Sequence, residues 1–193
     1  MLIWLNSPLP RWNRFIFLDR DGVINADRTD FIKSPGEFQF YEDSLQALRW
    51  LKKMEIHPII ISNQSGLGRK IITVPDFWDI HQHMRDTIEK NGGELLAAFY
   101  CHHHPQDGCS CRKPSPGLIL AASDLYKIDL NKTPFIGDRS SDLEAARRAG
   151  CRGSLLDRPH DTSQGVGHAA AVSSKANVFG PATMMEMVRI LYS

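Results

Sequence analysis

The stretch Phe15-Ile-Phe-Leu-Asp19-Arg-Asp21-Gly-Val-Ile-Asn25 decides the fold. Four apolar residues in a row, Phe15 to Leu18, predict a strand buried on both faces, as in a parallel sheet covered by helices. The strand begins near Arg14 and ends in Asp-x-Asp-Gly, which delivers two carboxylates to the carboxyl edge of the sheet. Open α/β sheets bind their ligands at that edge. Carboxylates this close repel each other, and a cation between them relieves the repulsion. Oxygen ligands suit a hard ion such as Mg²⁺, which also favours phosphate. The expectation is a Mg²⁺-dependent phosphate enzyme.

Downstream, strand and helix signals alternate. The polar stretch from Asn25 to Gln39 predicts a loop over the mouth of the site, with Asp27 to Asp30 as candidate substrate contacts. Leu45, Leu48, Leu51 and Met54 are spaced for a helix over Ser44–Met54. Pro58 to Ile61 reads as a second buried strand, ending at Ser62-Asn63-Gln64-Ser65-Gly66. A hydroxyl, amides and a glycine at a strand end can hold phosphate oxygens. The glycines at 66 and 68 lack the spacing of a Walker A loop. Thr73 or Val74 starts a helix that stops at Asn91-Gly-Gly93. Its His81 and His83 are two residues apart and do not face each other, so they read as surface or boundary residues rather than a metal pair.

Leu95 to Tyr100 reads as a third strand, followed by Cys101-His-His103-His-Pro-Gln-Asp-Gly-Cys109-Ser-Cys111-Arg112-Lys113-Pro. Cys-x-His and Cys-x-Cys each place two ligands on one side of an extended segment. A turn through Pro105 and Gly108 brings the pairs together, and four S/N ligands make a closed structural Zn²⁺ site. The preferred set is Cys101, His103, Cys109 and Cys111, with His102 or His104 able to replace His103. Arg112 and Lys113, pinned by that loop, form a candidate phosphate-binding pair. Ser115 and Pro116 read as the start of the next helix, with Leu118, Ile119, Ala122 and Leu125 as its apolar positions. Thr133 to Ile136 predicts a fourth strand, after which Asp138 adds a third carboxylate at the same edge. Asp142 lies in the first turn of a helix over Ser141–Ala149, where it can complement the helix dipole. Arg152 to Leu156 reads as a fifth strand, 157–174 as loop, 177–179 as an edge strand and 181–191 as a closing helix. Residues 1–13 read as an irregular lead-in, and Cys151 as a small buried residue.

Bulk properties narrow the field. A length of 193 residues suits one domain with a full core. A net charge of +1 without a run of one sign gives no support for a nucleic-acid or membrane partner. The apolar start Met1-Leu-Ile-Trp-Leu5 is too short for a secretory signal, and no stretch is long enough to span a bilayer. The expected location is the cytoplasm. Three of the four cysteines fall within 101–111, which in such a compartment argues for metal rather than disulfides. A calcium loop at Asp19–Asp30 fails, since Gly22 stands at position four and position twelve is not Glu.

Phe17-Leu-Asp19-Arg-Asp21-Gly, Ser62-Asn-Gln, Cys111-Arg-Lys113-Pro and Gly137-Asp138-Arg-x-x-Asp142, in this order, resemble the haloacid dehalogenase superfamily of phosphatases over roughly residues 14–156. The zinc loop and Ser62-Asn-Gln-Ser65-Gly resemble its heptose-bisphosphate phosphatase branch, with the histidinol-phosphate phosphatases as a related alternative. The resemblance implies a three-layer, Rossmann-like α/β fold with a parallel sheet, no large cap domain and an inserted zinc loop at 101–111. It implies one phosphatase domain over 1–193, with a core of about 14–191, and a monomer. Asp19 would be the nucleophile that forms an aspartyl-phosphate, and Asp21 the acid and base. Mg²⁺ would be held by Asp19, Asp138 and the backbone carbonyl of Asp21. Ser62 and Lys113 would bind the transferring phosphoryl group. Arg20, Asp27, Asp30, Asn63, Gln64, Ser65, Arg112 and Arg139 would contact a small phosphorylated sugar or alcohol. Two departures stand out: Val23 replaces a common Thr, and the short zinc loop is more like that of the histidinol-phosphate enzymes. A polynucleotide 3′-phosphatase is disfavoured by the balanced charge and the missing Walker A loop. A zinc-loop binding module with a dead enzyme site is disfavoured by the intact Asp19, Asp21, Lys113 and Asp138.

Overall fold

The computed structural model describes residues 1–6, 14–158 and 183–193. Its sheet is built from β1 (Leu2–Leu5), β2 (Phe15–Leu18), β3 (His57–Asn63), β4 (Ala97–Cys101), β5 (Pro134–Gly137) and β6 (Arg152–Leu155). The spatial order is β1-β4-β3-β2-β5-β6. β2 pairs in parallel with both β3 and β5, β4 runs parallel to β3, β6 runs parallel to β5, and β1 alone is antiparallel.

The apolar runs form central strands because both faces are covered. Ile16, Leu18, Ile60, Tyr100 and Ile136 point into one core layer. It is completed by α1 (Glu42–Lys53), α3 (Val74–Lys90) and α6 (Met184–Leu191). Phe15, Phe17, Ile59, Ile61, Phe99 and Phe135 point the other way, onto α4 (Gly117–Tyr126) and α5 (Ser140–Ala149). A four-residue helix, α2 (Ser65–Gly68), follows β3. This is the three-layer α/β arrangement expected from the strand–helix alternation. Local signals also set the helix ends. Thr73 caps α3 in a reciprocal box with Asp76, and Gly150 ends α5 at φ +89°.

Three local expectations are corrected. Leu2–Leu5 is a strand rather than an irregular lead-in. Its pairing with β4 and the half-burial of Leu2 and Trp4 supply what a four-residue segment lacks on its own. Ser115 does not cap α4, because its N–H closes a turn on the Arg112 carbonyl and the helix begins two residues later, at Gly117. His81 is not at the surface. It is buried among Trp4, Trp78 and Tyr100, with Nδ1 2.9 Å from the Tyr100 hydroxyl. Burial, with the cations Arg20 and Arg85, pushes its pKa down to about 4. His83 stands at the boundary, beside Phe38 and Phe40. The expected edge strand at 177–179, the loop at 159–174 and the start of the closing helix at 181 and 182 lie outside the described residues. No helix among the described residues is long and apolar enough to cross a membrane.

Leu48 is fully buried between α1 and the sheet. Leu48→Ala is expected to cost about 3 kcal/mol. Thermal denaturation followed by circular dichroism should show the midpoint falling by roughly 6–12 °C.

Candidate active site

The chain runs from β2 to β3 to β4 in one direction and then returns to place β5 on the other side of β2. The carboxyl end of β2 is therefore the switch point, where the crevice of an open α/β sheet lies. Asp19 follows β2, Asp138 follows β5, and Ser62 lies near the end of β3. Lys113 arrives from the loop after β4.

Lys113 is buried, and its ammonium makes three contacts. Nζ lies 2.9 Å from Asp19 Oδ2 and 2.7 Å from Asp142 Oδ1, and it donates to the Ile61 carbonyl at 2.9 Å. Burial alone would lower the pKa of this lysine, but the charges of Asp142 and Asp19 outweigh it and raise it. Its backbone is clasped from both sides by one amide. Lys113 N–H donates to Asn63 Oδ1 at 3.0 Å, and Asn63 Nδ2 donates to the Lys113 carbonyl at 3.1 Å. Asn63, expected at the mouth, instead holds Lys113 in place.

Asp142 was read as a dipole complement. It does accept from the Arg139 N–H at the start of α5, but it is also buried and bound to Lys113. The sequence signal for it was the spacing Gly137-Asp138-x-x-x-Asp142, which brings a helix residue back to the strand end. Gly137 is required there, since a Cβ would sit 2.3 Å from Asp142 Cβ.

Asp19, Asp138 and Asp142 each offer a carboxylate oxygen within 4.8 Å of the others. Burial raises the Asp19 pKa to about 6, partly opposed by Lys113 and reinforced by Asp142 and Asp21. Burial, then Asp19 and Asp142, raise that of Asp138 to about 8. Asp138 Oδ1 is buried without a hydrogen-bond partner. Gly22, at φ +80°, lets the backbone approach so closely that a Cβ would meet Asp138 Oδ2 at 2.2 Å. Crowded, partly unpaired carboxylate oxygens beside closely approaching backbone fit a hard divalent cation such as Mg²⁺.

The Asp21 side chain points away from this cluster. Oδ1 accepts from Arg20 and from Asn25 Nδ2, and Oδ2 accepts from Gln64 Nε2 at 2.7 Å. Burial alone would raise its pKa, but Arg20 and these hydrogen bonds outweigh burial and lower it. Its carboxylate is not part of the group of oxygens that could share an ion with Asp138. Arg20, expected to touch substrate, is buried on Asp21 with its guanidinium over the Phe38 ring. Gln64 and Ser65 are buried as well. At the mouth, Arg139 pairs with Asp27, and Asp30 is exposed and held by Arg28 and Lys33. Arg112 keeps Nη1 buried without a partner, an opening for an anion.

Arg158 was missed in the sequence. It donates to the Gly22 and Val23 carbonyls, to Asp43 and to Ser44 Oγ, fastening the loop after Asp21 to the start of α1. No local pattern marks it, because its partners lie more than a hundred residues away.

The second cluster is Cys101, His103, Cys109 and Cys111. Sγ–Sγ separations are 3.6 Å for Cys101–Cys109 and 3.7 Å for Cys109–Cys111. His103 Nδ1 lies 3.5 Å from Cys101 Sγ and 3.2 Å from Cys111 Sγ. A tetrahedral Zn²⁺ with ordinary bond lengths needs about 3.8 Å between sulfurs and about 3.6 Å between sulfur and nitrogen. The four ligands fit that ion. Among the three candidate histidines, His103 is the one turned toward the thiols. His104 caps the turn Pro105–Asp107 instead.

A switch-point acidic cluster with a buried lysine, on this sheet order, defines a hydrolase of the haloacid dehalogenase type. A family model described as HAD-hyrolase-like matches residues 110–173. The D-glycero-beta-D-manno-heptose-1,7-bisphosphate 7-phosphatase of Bordetella bronchiseptica is 41% identical over 138 residues, covering 72% of this chain and 77% of that protein. The enzyme of the same name from Pseudomonas aeruginosa is 38% identical over 141 residues, covering 73% and 79%. The crystal structure of D,D-heptose 1,7-bisphosphate phosphatase from B. bronchiseptica, complexed with magnesium and phosphate, superposes with a TM-score of 0.81 at 34% identity. That match covers 93% of this chain and 98% of the other. The chain belongs to the D-glycero-beta-D-manno-heptose-1,7-bisphosphate 7-phosphatase family, and it is a phosphatase.

Between about pH 4 and 8, the raised pKa values of Asp19 and Asp138 keep protons on the metal-free folded site that the unfolded chain releases. Stability contributed by the site therefore falls as pH rises through that window. His81, depressed from 6.5 to about 4, acts in the opposite sense below pH 6.5, so the site is read by difference. Thermal melts of protein freed of Mg²⁺ but retaining zinc should show wild type losing stability relative to Asp138→Asn as pH rises from 5 to 8. Added Mg²⁺ should stabilise wild type most at the alkaline end.

Burial pushes the Cys101 thiol up to about 12, so metal binding at neutral pH must displace its proton. Metal analysis should find about one Zn per chain. Chelation followed by restoring Mg²⁺ should leave the loop at 101–111 free, Lys113 displaced and activity lowered by roughly tenfold or more. Normal turnover by folded, zinc-free protein would rule out this role.

Proposed function

We propose that this chain hydrolyses the 7-phosphate of D-glycero-β-D-manno-heptose 1,7-bisphosphate through an aspartyl-phosphate on Asp19. The observation that carries the chemistry is the Asp19–Lys113–Asp142 contact at the switch point. The substrate assignment is supported by relatives of that name at 35–41% identity.

Lys113 keeps Asp19 ionised inside the protein and offers its charge to the phosphoryl group. Ser62 Oγ lies at the end of the neighbouring strand and can donate to a phosphoryl oxygen. Mg²⁺, held by Asp19, Asp138 and the Asp21 carbonyl, would neutralise charge on the transferring group. An Asp19 oxygen bonds to phosphorus while the bond to the sugar oxygen breaks, and Asp21 gives that oxygen its proton. Asp21 is ionised in the resting site, held by three donors. An arriving phosphate dianion raises its pKa and supplies the reason to carry a proton. Asp21 then takes a proton from the water that attacks phosphorus of the aspartyl-phosphate, releasing phosphate and restoring Asp19. The reaction is chiefly positioning and charge neutralisation, which this edge supplies. Arg112, with its buried free Nη1, and Arg139, paired with Asp27 at the mouth, are candidates to recognise the rest of the substrate.

Asp19→Asn should reduce phosphate release by ~10³-fold or more in protein that still folds, judged by circular dichroism. Substrate choice is tested by phosphate release from both anomers of heptose 1,7-bisphosphate, from histidinol phosphate and from a 3′-phosphorylated oligonucleotide. The β-heptose bisphosphate should give the highest kcat/KM; preference for histidinol phosphate or the oligonucleotide would overturn the assignment.

A further inference from the structure

Gln64 stands between two groups that the proposed reaction uses. It is buried just past β3, and its backbone N–H donates to the Cys101 carbonyl at 2.7 Å. Its side-chain nitrogen lies 2.7 Å from Asp21 Oδ2 and 3.1 Å from Ser62 Oγ. Chemistry sets the orientation of that amide. An ionised carboxylate only accepts, so the NH₂ end faces Asp21. Both amide hydrogens are then committed, one to Asp21 and one to Ser62. Ser62 Oγ, accepting from Gln64, keeps its own hydrogen for a phosphoryl oxygen. Arg20 and Asn25 occupy Asp21 Oδ1, and among the described residues Gln64 alone holds Oδ2.

We infer that Gln64 is a positioning residue for phosphoryl transfer, setting the Asp21 carboxyl and the Ser62 hydroxyl in one register. The inference rests on the reading of Asp21 as general acid. In that step an Asp19 oxygen bonds to phosphorus, the bond from phosphorus to the alcohol oxygen breaks, and the Asp21 proton passes to that oxygen. An ionised Asp21 is held firmly by Gln64, because hydrogen bonds to a charged acceptor are the stronger ones. The Cys101 carbonyl fixes the Gln64 backbone, so the amide that holds Asp21 and Ser62 stays in place.

The readout is leaving-group dependence. A nitrophenolate departs without a proton and an alkoxide does not, so only the alkyl substrate needs the acid before phosphorus is transferred. The experiment compares kcat/KM for p-nitrophenyl phosphate with that for whichever alkyl phosphate the enzyme hydrolyses best. Asp21→Asn should lower the alkyl-to-aryl ratio by ~100-fold, while Ser62→Ala should lower both rates together. Gln64→Leu should lower the ratio by roughly tenfold. If Asp21→Asn moves the ratio and Gln64→Leu does not, Gln64 has no such role, and the acid assignment survives. If Asp21→Asn leaves the ratio unchanged, the acid assignment falls and the inference with it. Should Gln64→Leu fail to fold, judged by circular dichroism and zinc content, Gln64→Met takes its place with the same two outcomes.

Discussion

One ammonium group inside the protein holds the site together. Without Lys113, the buried carboxylates of Asp19 and Asp142 and the half-buried one of Asp138 would face each other across less than 5 Å, and burial would drive them to bind protons. With it, Asp19 and Asp142 each have a cationic partner, and the Ile61 carbonyl takes the remaining contact. The arrangement still leaves an excess of negative charge around Asp138, where a buried oxygen has no partner. That excess is what a divalent cation neutralises. Breaking a buried ion pair by removing one member is severe, because the other charge stays buried. Much of the surrounding structure serves to keep Lys113 in position.

Three elements converge on that lysine from distant parts of the chain. The thiol–imidazole cluster ends at Cys111, two residues before it, and closes the loop from which Lys113 enters the core. Asn63, at the end of β3, clasps its backbone through both ends of one amide. The first turn of α5 supplies Asp142, admitted by the missing side chain at Gly137. Arg158 does the equivalent service for the other wall, fixing the carbonyls of Gly22 and Val23 so that the backbone lies flush against Asp138. The loop that carries the thiol–imidazole cluster thus supports the sheet edge as well as itself.

The legible part of the site was the part coded locally. Asp19, Asp21 and Asp138 could be placed because each ends or follows an apolar strand, and strand ends share one edge of a parallel sheet. The zinc ligands were legible because their spacing in an extended segment is itself a chelating geometry. Arg20, Asn63 and Gln64 lie in the same motifs, yet their side chains turn inward to Asp21, Lys113 and Ser62 rather than to the mouth. Proximity in sequence brought them to the right edge but left the rotamer undetermined. Asp142 shows its place in a local spacing but takes its partner Lys113 from another loop; Arg158 depends on partners far along the chain, and β1 on β4, so no window of sequence contains their reason.

The sequence by itself determined the strand–helix alternation, the doubly covered sheet, the acidic edge and the thiol–imidazole cluster. Periodicity, helix caps and ligand spacing act over a few residues and need no fold to be read. Tertiary structure decided which carboxylates share Lys113, which one is left for a cation, and which way Asp21 faces. Those outcomes depend on desolvation and on charges brought together by a sheet order in which β5 returns beside β2. The Asp19-Arg-Asp21-Gly turn announces two acids. Only the packing around it makes one an ion-paired group aimed into the crevice and the other an acid held back by Arg20, Asn25 and Gln64.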